Sequence, residues 1–340
     1  MHVSDFDYEL PPELIAQVPI EPRDSARLLD ALSKPGSYID RQVSDFSDLI
    51  GPGDVVVVNN SKVMPCRLEL FKGTGGLVEV LLVRHLEGSS LVGQIWEVLI
   101  RPMKRCPSST ELLDQSGEKV CKVVGRKSVP DGRDLAVVEF EKDIDPHRLA
   151  SVAFPPYIHT KDITPERYQT VFARQPGSVA APTAGLHFTD SLMRKIVTRG
   201  AKIVTVELQI GLDTFRPIVV DDPSLHHIHS ENYFIDERDF EEILSANRVL
   251  AIGTTTTRAL ESAATFEQLS GSTNLYIYGD YDFKVVDVML TNFHVPRSTL
   301  LVMLQAFCGN SWRNIYRYAL ESKYRFLSFG DAMIVGRSQR

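Results

Sequence analysis

An α/β fold is predicted for this chain: a mixed-sheet α/β main domain with an inserted small antiparallel β-barrel domain. Three observations predict it. The chain has 340 residues, a length that suggests two domains and a large core. From residue 54 to Pro155 the texture is β, with short β-rich runs and no helix between them. After Pro155-Pro156 strands alternate with helical patterns. The two chain ends, 1–63 and 155–340, are therefore read as one discontinuous α/β domain, and 64–154 as the insert.

The first strand is Asp54–Asn59 (DVVVVN), a continuous apolar run after the turn Gly51-Pro52-Gly53. The insert carries β-rich runs at Leu77–Val83, Ile95–Arg101, Lys119–Gly125 and Asp134–Phe140. Turns such as Gly73-Thr74-Gly75-Gly76 and Pro130-Asp131-Gly132 flank them. In the second half, strands are predicted at Lys202–Ile210, Arg248–Gly253, Asn274–Tyr278, Lys284–Leu290 and Ala332–Val335. Helices are predicted at Asp190–Arg199, Asp239–Asn247, Thr257–Gln268, Thr299–Cys308 and Trp312–Lys323.

Hydrophobic content of 43% and charged content of 24% are those of a globular protein, and no apolar run is long enough to span a membrane. The acidic start Met1-His2-Val3-Ser4-Asp5 lacks the basic and apolar regions of a signal peptide, so a cytoplasmic location is expected. Cys66, Cys106, Cys121 and Cys308 form no C-x-x-C pair, which argues against a zinc cluster or a disulfide framework. The net charge of -7 counts mildly against nucleic-acid binding. Two local basic clusters count the other way: Arg101, Lys104 and Arg105, and Arg313, Arg317, Lys323 and Arg325. Solvated faces look the same.

Four loops suit chemistry. Gly177 to Thr189 mixes glycine, alanine, proline and hydroxyls with His187, and follows neither strand nor helix period. It feeds the helix at Asp190, with Thr189 or Asp190 as N-cap. Small residues there let a ligand, or simply the protein itself, approach closely. Gly253-Thr254-Thr255-Thr256-Thr257-Arg258 follows an apolar strand and opens a helix. Its N–H groups attract anions, and Arg258, opposing the helix dipole, needs an anionic partner: Glu261 or a ligand carboxylate. Plain N-capping by threonine is the bland alternative. Thr291 to Thr299 sets Asn292, Phe293 and His294 between a strand and a helix, a set that suits a planar heterocycle. A packed aromatic beside an Asx-turn would read alike. His226-His227-Ile228-His229-Ser230-Glu231 invites a metal, yet His226 points away from His227 and His229 in extended backbone. Hydrogen bonding of His229 and Glu231 to a polar substrate is preferred, and no metal is expected. The tail Tyr324-Arg325-Phe326 can stack on bases and hold phosphate, or cover the core.

Together these segments closely resemble the S-adenosylmethionine:tRNA ribosyltransferase-isomerases of queuosine biosynthesis. Further matches are Ser4-Asp5-Phe6-Asp7-Tyr8-Glu9-Leu10-Pro11, Pro22-Arg23-Asp24-Ser25-Ala26-Arg27-Leu28-Leu29, Gly75 to Leu82, Pro155-Pro156-Tyr157-Ile158-His159 and Glu166-Arg167-Tyr168-Gln169-Thr170-Val171. Their number and order make the match specific. The resemblance implies transfer and isomerisation of the ribosyl group of S-adenosylmethionine. The acceptor is the amine of 7-aminomethyl-7-deazaguanine at the tRNA wobble position. The products are epoxyqueuosine-tRNA, adenine and methionine. S-adenosylmethionine is then a substrate, no cofactor is needed, the partner is tRNA and a monomer is expected.

Such a reaction needs a base beside the sulfonium, an acid for departing adenine and a neutral acceptor amine. His187 and His294 are the candidates for proton transfer. Phe188 or Phe293 suits stacking on adenine, and Asn292 its edge. Thr254, Thr255 and Arg258 suit the methionine carboxylate, Ser178 and Thr183 of the first loop are expected to bind substrate, and Tyr324 and Arg325 suit the anticodon loop. Against the family pattern, Gln209 stands where histidine is usual, Asp213 where glycine is usual, and Gly279-Asp280 replaces Pro-Gly. These departures motivate a rival reading, a tRNA-binding member with weakened catalysis. A metal hydrolase using His227, His229 and Glu231 is a third.

Overall fold

The structure is a computed structural model that describes residues 1–338 except 35, 90, 92, 129–133, 161 and 212–216. The predicted turn at Pro130 to Gly132 and the departure at Asp213 lie outside the described residues. Two compact units are present: Met1–Val63 with Pro155–Arg340, and Met64–Phe154.

The first unit begins with β1 (Arg27–Asp30), β2 (Ile39–Gln42), β3 (Asp54–Asn59) and β4 (Ser61–Val63). The second contains β5 (Arg67–Lys72), β6 (Leu77–Ser89), β7 (Gly93–Arg101), β8 (Glu111–Leu113), β9 (Lys119–Ser128), β10 (Asp134–Phe140) and the one-turn α1 (Pro146–Leu149). These six strands make an antiparallel sheet in the order β10-β7-β6-β5-β8-β9. Alternate residues such as Leu68 and Leu70, Val78 and Val80, and Val98 and Ile100 are buried, as a sheet with one apolar face requires.

The first unit resumes with β11 (Gln175–Ser178), α2 (Asp190–Thr198), β12 (Lys202–Leu208), β13 (Glu231–Phe234), α3 (Glu237–Leu244), β14 (Arg248–Ile252) and α4 (Thr254–Phe266). It ends with β15 (Ser270–Thr273), β16 (Val288–Asn292), α5 (Thr299–Cys308), α6 (Ser311–Glu321) and β17 (Ala332–Gly336). A mixed sheet of nine strands runs β15-β13-β12-β3-β14-β16-β17-β1-β2. Its centre, β12, β3, β14 and β16, is parallel. Strand β3 is apolar throughout because both its faces are covered. Val55 and Val57 pack with Leu260 of α4 and Val302 of α5, whereas Val56 and Val58 pack with Leu192 and Ile196 of α2.

Three predicted elements differ most, the first being the strand read at Lys284–Leu290, which is β16 and begins only at Val288. Residues Asn274–Tyr278 form no strand; the strand there is β15, whose partner is β13. Helix α4 begins three residues before the predicted Thr257, because Gly253 at φ 92° turns the chain straight from β14 into Thr254.

Candidate active site

The parallel strands β12, β3, β14 and β16 all end at one edge of the sheet, where open α/β sheets gather ligands. Three of the four candidate loops meet there, and the fourth, His226 to Glu231, joins the threonine loop through Arg258. Asn59 closes β3; its amide donates to the Leu208 carbonyl at 3.0 Å and its oxygen accepts from Leu208 N–H at 3.1 Å. The same amide reaches Thr255 Oγ1 at 3.5 Å. Ser178, fully buried, accepts from Ile210 N–H at 2.9 Å and so ties the first loop to the chain leaving β12. A Cβ on Gly253 would stand 3.4 Å from the Ala184 methyl, so the first loop also touches the threonine loop.

Thr183–His187 winds into one turn of 3-10 helix, and Thr189 caps α2 by accepting from Leu192 N–H. This brings His187, only 5% exposed, against Asn292 at the end of β16. The Asn292 amide nitrogen donates to His187 Nε2 at 3.1 Å and to the carbonyls of Leu327 at 3.1 Å and Asp331 at 3.4 Å. Two carbonyls fix which end of the carboxamide is the NH₂. Nε2 of His187 is therefore an acceptor, and Nδ1 carries the proton of the neutral ring. Burial, then the charges of Arg325 and Arg23, push the His187 imidazole down to about 3, so it is neutral at pH 7. Asn292 Oδ1 is buried with no hydrogen-bond partner among the described residues.

Asp331 organises the far side. Its carboxylate accepts from Arg27 N–H and Arg325 N–H, at 3.0 and 2.8 Å. Arg325 reaches Asp331 through Nε at 3.6 Å, and its buried Nη2 has no hydrogen-bond acceptor among the described residues. A narrow cleft of about 250 Å³, counting space open to solvent, lies beside His187 and is lined by Arg23, Arg167 and Ser328. Sequence reasoning assigned no chemistry to Asn59, Arg23, Arg167 or Asp331. Arg23 and Arg167 sit in recognised family segments, and that was the one signal available for them.

The aromatic candidates sit elsewhere than a stacking role requires. Phe188 is fully buried between Phe46 and Phe172, with ring centroids at 5.7 and 6.2 Å. Phe293 is fully buried against Tyr316, Tyr324 and Phe326. Tyr324 is buried as well. Arg27 covers its ring at 3.6 Å and its hydroxyl donates to Asp40, so it is a core residue rather than a platform for an anticodon base. His294 is 7% exposed, 3.1 Å from Thr291 Oγ1, with its main chain bonded to Tyr316 and Tyr8. Burial alone pushes its imidazole down to about 3.

Arg258 has its anion, but it is neither Glu261 nor a ligand. Its Nη1 donates to Glu231 at 2.6 Å, Nε to the Leu275 carbonyl, and Nη2 to the carbonyls of His229 and Thr273. Four bonds use most of the five donors of a guanidinium, which leaves little capacity for a methionine carboxylate. Glu231 also accepts from His229 Nε2 at 3.1 Å and from Gly211 N–H at 2.8 Å. Burial pushes the Glu231 carboxyl up, but the His229 hydrogen bond and the Arg258 charge outweigh it and hold it below the usual range. Glu261 instead accepts from the N–H groups of Lys284, Val285 and Val286.

The small residues of the first loop make room for protein rather than ligand. A Cβ on Gly177, at φ 139°, would meet the Gln209 side chain at 2.9 Å, and one on Gly185 would meet the Phe172 ring at 2.6 Å. Gln209 itself donates to Glu207 and accepts from Asn232. No cap side chain bonds the first turn of α4, since its N-cap is Gly253; Thr256 and Thr257 turn their hydroxyls back to the Ile252 and Gly253 carbonyls. Among the described residues no group of three or more His, Cys, Asp or Glu side chains could hold a metal ion.

A family model described as "Queuosine biosynthesis protein" matches residues 3–335. This chain belongs to that family. Among its relatives, one from Moorella thermoacetica is 43% identical over 98% of this chain and all of its own length. One from Symbiobacterium thermophilum is 41% identical with the same coverage. Both are named S-adenosylmethionine:tRNA ribosyltransferase-isomerase. A crystal structure of the S-adenosylmethionine tRNA ribosyltransferase from Thermotoga maritima matches with TM-score 0.55 and 33% identity. The match covers 97% of this family member and 99% of that chain.

Proposed function

We propose that this protein transfers and isomerises the ribosyl group of S-adenosylmethionine onto the aminomethyl group of 7-aminomethyl-7-deazaguanine in tRNA, releasing adenine and methionine. The reading rests on near full-length similarity to relatives named for this activity. The meeting of the Gly177–Thr189 loop, the threonine loop and Asn292 at the carboxyl edge of the parallel strands supports the place. S-adenosylmethionine is consumed as a substrate, and the protein works in the cytoplasm as a monomer. The six-stranded sheet of the inserted unit is read as a small barrel, because β9 and β10, the ends of its strand order, pair with each other.

His187 is assigned a narrower task than proton shuttling. Asn292 occupies its Nε2 lone pair, so a second proton there would set two donors against each other. The ring stays neutral and offers Nδ1–H as a hydrogen-bond donor toward charge that builds on substrate. Asn292 is then a positioning residue, not a reader of the adenine edge.

The test is incubation with S-adenosylmethionine and tRNA bearing the precursor base. Adenine and methionine are expected in equal amounts with the ribosyl-bearing tRNA product. Tight tRNA binding with no adenine release would overturn the reading in favour of a binding-only protein.

A further inference from the structure

We infer that the cleft beside His187 is an oxyanion site, which takes a carboxylate or phosphate group of a substrate between Arg23 and Arg167. The inference rests on the proposed activity for the identity of the substrates, but the site is argued from its own chemistry. Its lining carries two guanidiniums, one imidazole with Nδ1–H and the Ser328 hydroxyl, and no carboxylate. Every one of these can donate a hydrogen bond, and the guanidiniums can do nothing else.

The arginines are held in place without being used up. Arg23 donates to the carbonyls of Gln169 and Glu166, at 2.6 and 3.3 Å. Arg167 donates to the Ile20 carbonyl at 3.0 Å and pairs with Glu21 at 2.7 Å. Carbonyls orient a guanidinium but leave its charge uncancelled. Glu21 pairs with Arg167 and acts on Arg23 as well, but its side chain is 66% exposed, so solvent screens it. Burial and the neighbouring Arg167 charge accordingly lower the basicity of Arg23. A third guanidinium, Arg325, acts on His187 and keeps a buried Nη2 without a hydrogen-bond acceptor among the described residues. Two like charges close together beside an imidazole whose one acceptor nitrogen is already taken are relieved by an oxyanion. The arrangement also replaces the carboxylate site expected at Arg258, most of whose donors Glu231 and three carbonyls already take.

Two substrate groups have this chemistry: the methionyl carboxylate of S-adenosylmethionine and a backbone phosphate of tRNA. Initial rates of adenine release in Arg167→Gln and Arg167→Lys, with each substrate varied in turn, separate them. Arg167→Gln is expected to raise one KM roughly tenfold or more, the scale of a lost charge-assisted hydrogen bond, with partial recovery in Arg167→Lys. A carboxylate occupant raises the KM for S-adenosylmethionine and leaves tRNA binding and its salt dependence unchanged. A phosphate occupant raises the KM for tRNA and lowers the salt slope of binding by about one. A variant that melts like the parent and shifts neither KM by twofold overturns the inference. Should Arg167→Gln not fold, or the parent release no adenine, the parent's His187 ring resonance is followed while methionine or inorganic phosphate is added. A saturable shift with either probe supports the site, and none with both overturns it.

Discussion

Two buried polar clusters at this sheet edge contain the same kinds of residue and end in opposite conditions. Around Arg258 the charges close on one another: Glu231 takes Arg258, His229 and Gly211 N–H, and carbonyls take three more of the five guanidinium donors. Around His187 the accounts stay open. Asn292 Oδ1 and Arg325 Nη2 are buried without partners among the described residues, and the cleft lining holds two arginines and no carboxylate, the Glu21 paired with Arg167 lying outside it. A polar group removed from water without a partner costs free energy. A cluster that is satisfied by itself therefore stabilises the fold, and one that is not has capacity left for a water or a ligand. Residue type does not separate the two; spent and unspent hydrogen-bonding capacity does.

The comparison breaks most visibly at the ion pair. Arg258→Met strands Glu231 in the interior, and losing one partner of a buried pair costs about 3–5 kcal/mol. Urea unfolding of this variant should show that loss, while Glu231→Gln combined with Arg258→Met should recover part of it. A loss below about 1 kcal/mol would mean that Arg258 is not committed to Glu231, and would return it to the substrate site.

At His187 the expected loss is in rate. His187→Ala should lower kcat for adenine release by roughly 10²-fold, the scale of one lost donor to developing charge. Urea stability should fall less than in Arg258→Met. Because the ring is assigned a donor role, His187→Gln, which keeps an N–H, should recover a substantial part of the loss. Equal inactivity of the two variants would restore His187 to the list of proton carriers.

Much of this scaffold was legible in the sequence. Strand Asp54–Asn59 and helix Thr299–Cys308 have the predicted bounds, because each is defined by a local pattern: a strand apolar on both faces, and a helix behind the Ser298 cap. The stretch Asn274–Tyr278 alternates like a strand but has none to pair with, whereas the plain Ser270–Thr273 lies along β13. Pairing is a property of the partner, which no local pattern reports. The site divides the same way. His187 and Asn292 were legible as loop residues of unusual composition, but their contact spans 105 positions. The partner of Arg258 lies 27 residues upstream of it, beyond any helical spacing that points to Glu261. Phe188, Phe293 and Tyr324 have the chemistry to stack on a base, and only packing shows that other side chains already cover them. Arg23 and Arg167 are tethered by carbonyls, which every residue has and none advertises.

Acid tests whether the two buried histidines are held neutral. His187 and His294 are both pushed down to about 3, from 6.5 when unfolded. The unfolded chain therefore binds more protons between pH 6.5 and 3, so this stability is full above pH 6.5 and is lost as pH falls through that window. Each ring should contribute up to about 1.4 kcal/mol per pH unit there. Urea midpoints from pH 7 to 4 should fall less steeply in His294→Gln than in the parent, and an unchanged slope would show that His294 is not buried neutral.

Ser178 sets the lower limit of the comparison. Its hydroxyl accepts a single bond, from Ile210 N–H, and no charge depends on it. Replacing it with alanine leaves that buried N–H unpaired, at about 1–3 kcal/mol less the small gain of removing a buried hydroxyl. Stability should drop by about 1 kcal/mol with KM for both substrates unchanged, because the loop holding His187 is also pinned at Thr189 and Ala184. A selective rise in the KM for S-adenosylmethionine would instead show that Ser178 is shared with substrate, and would place it with the open cluster.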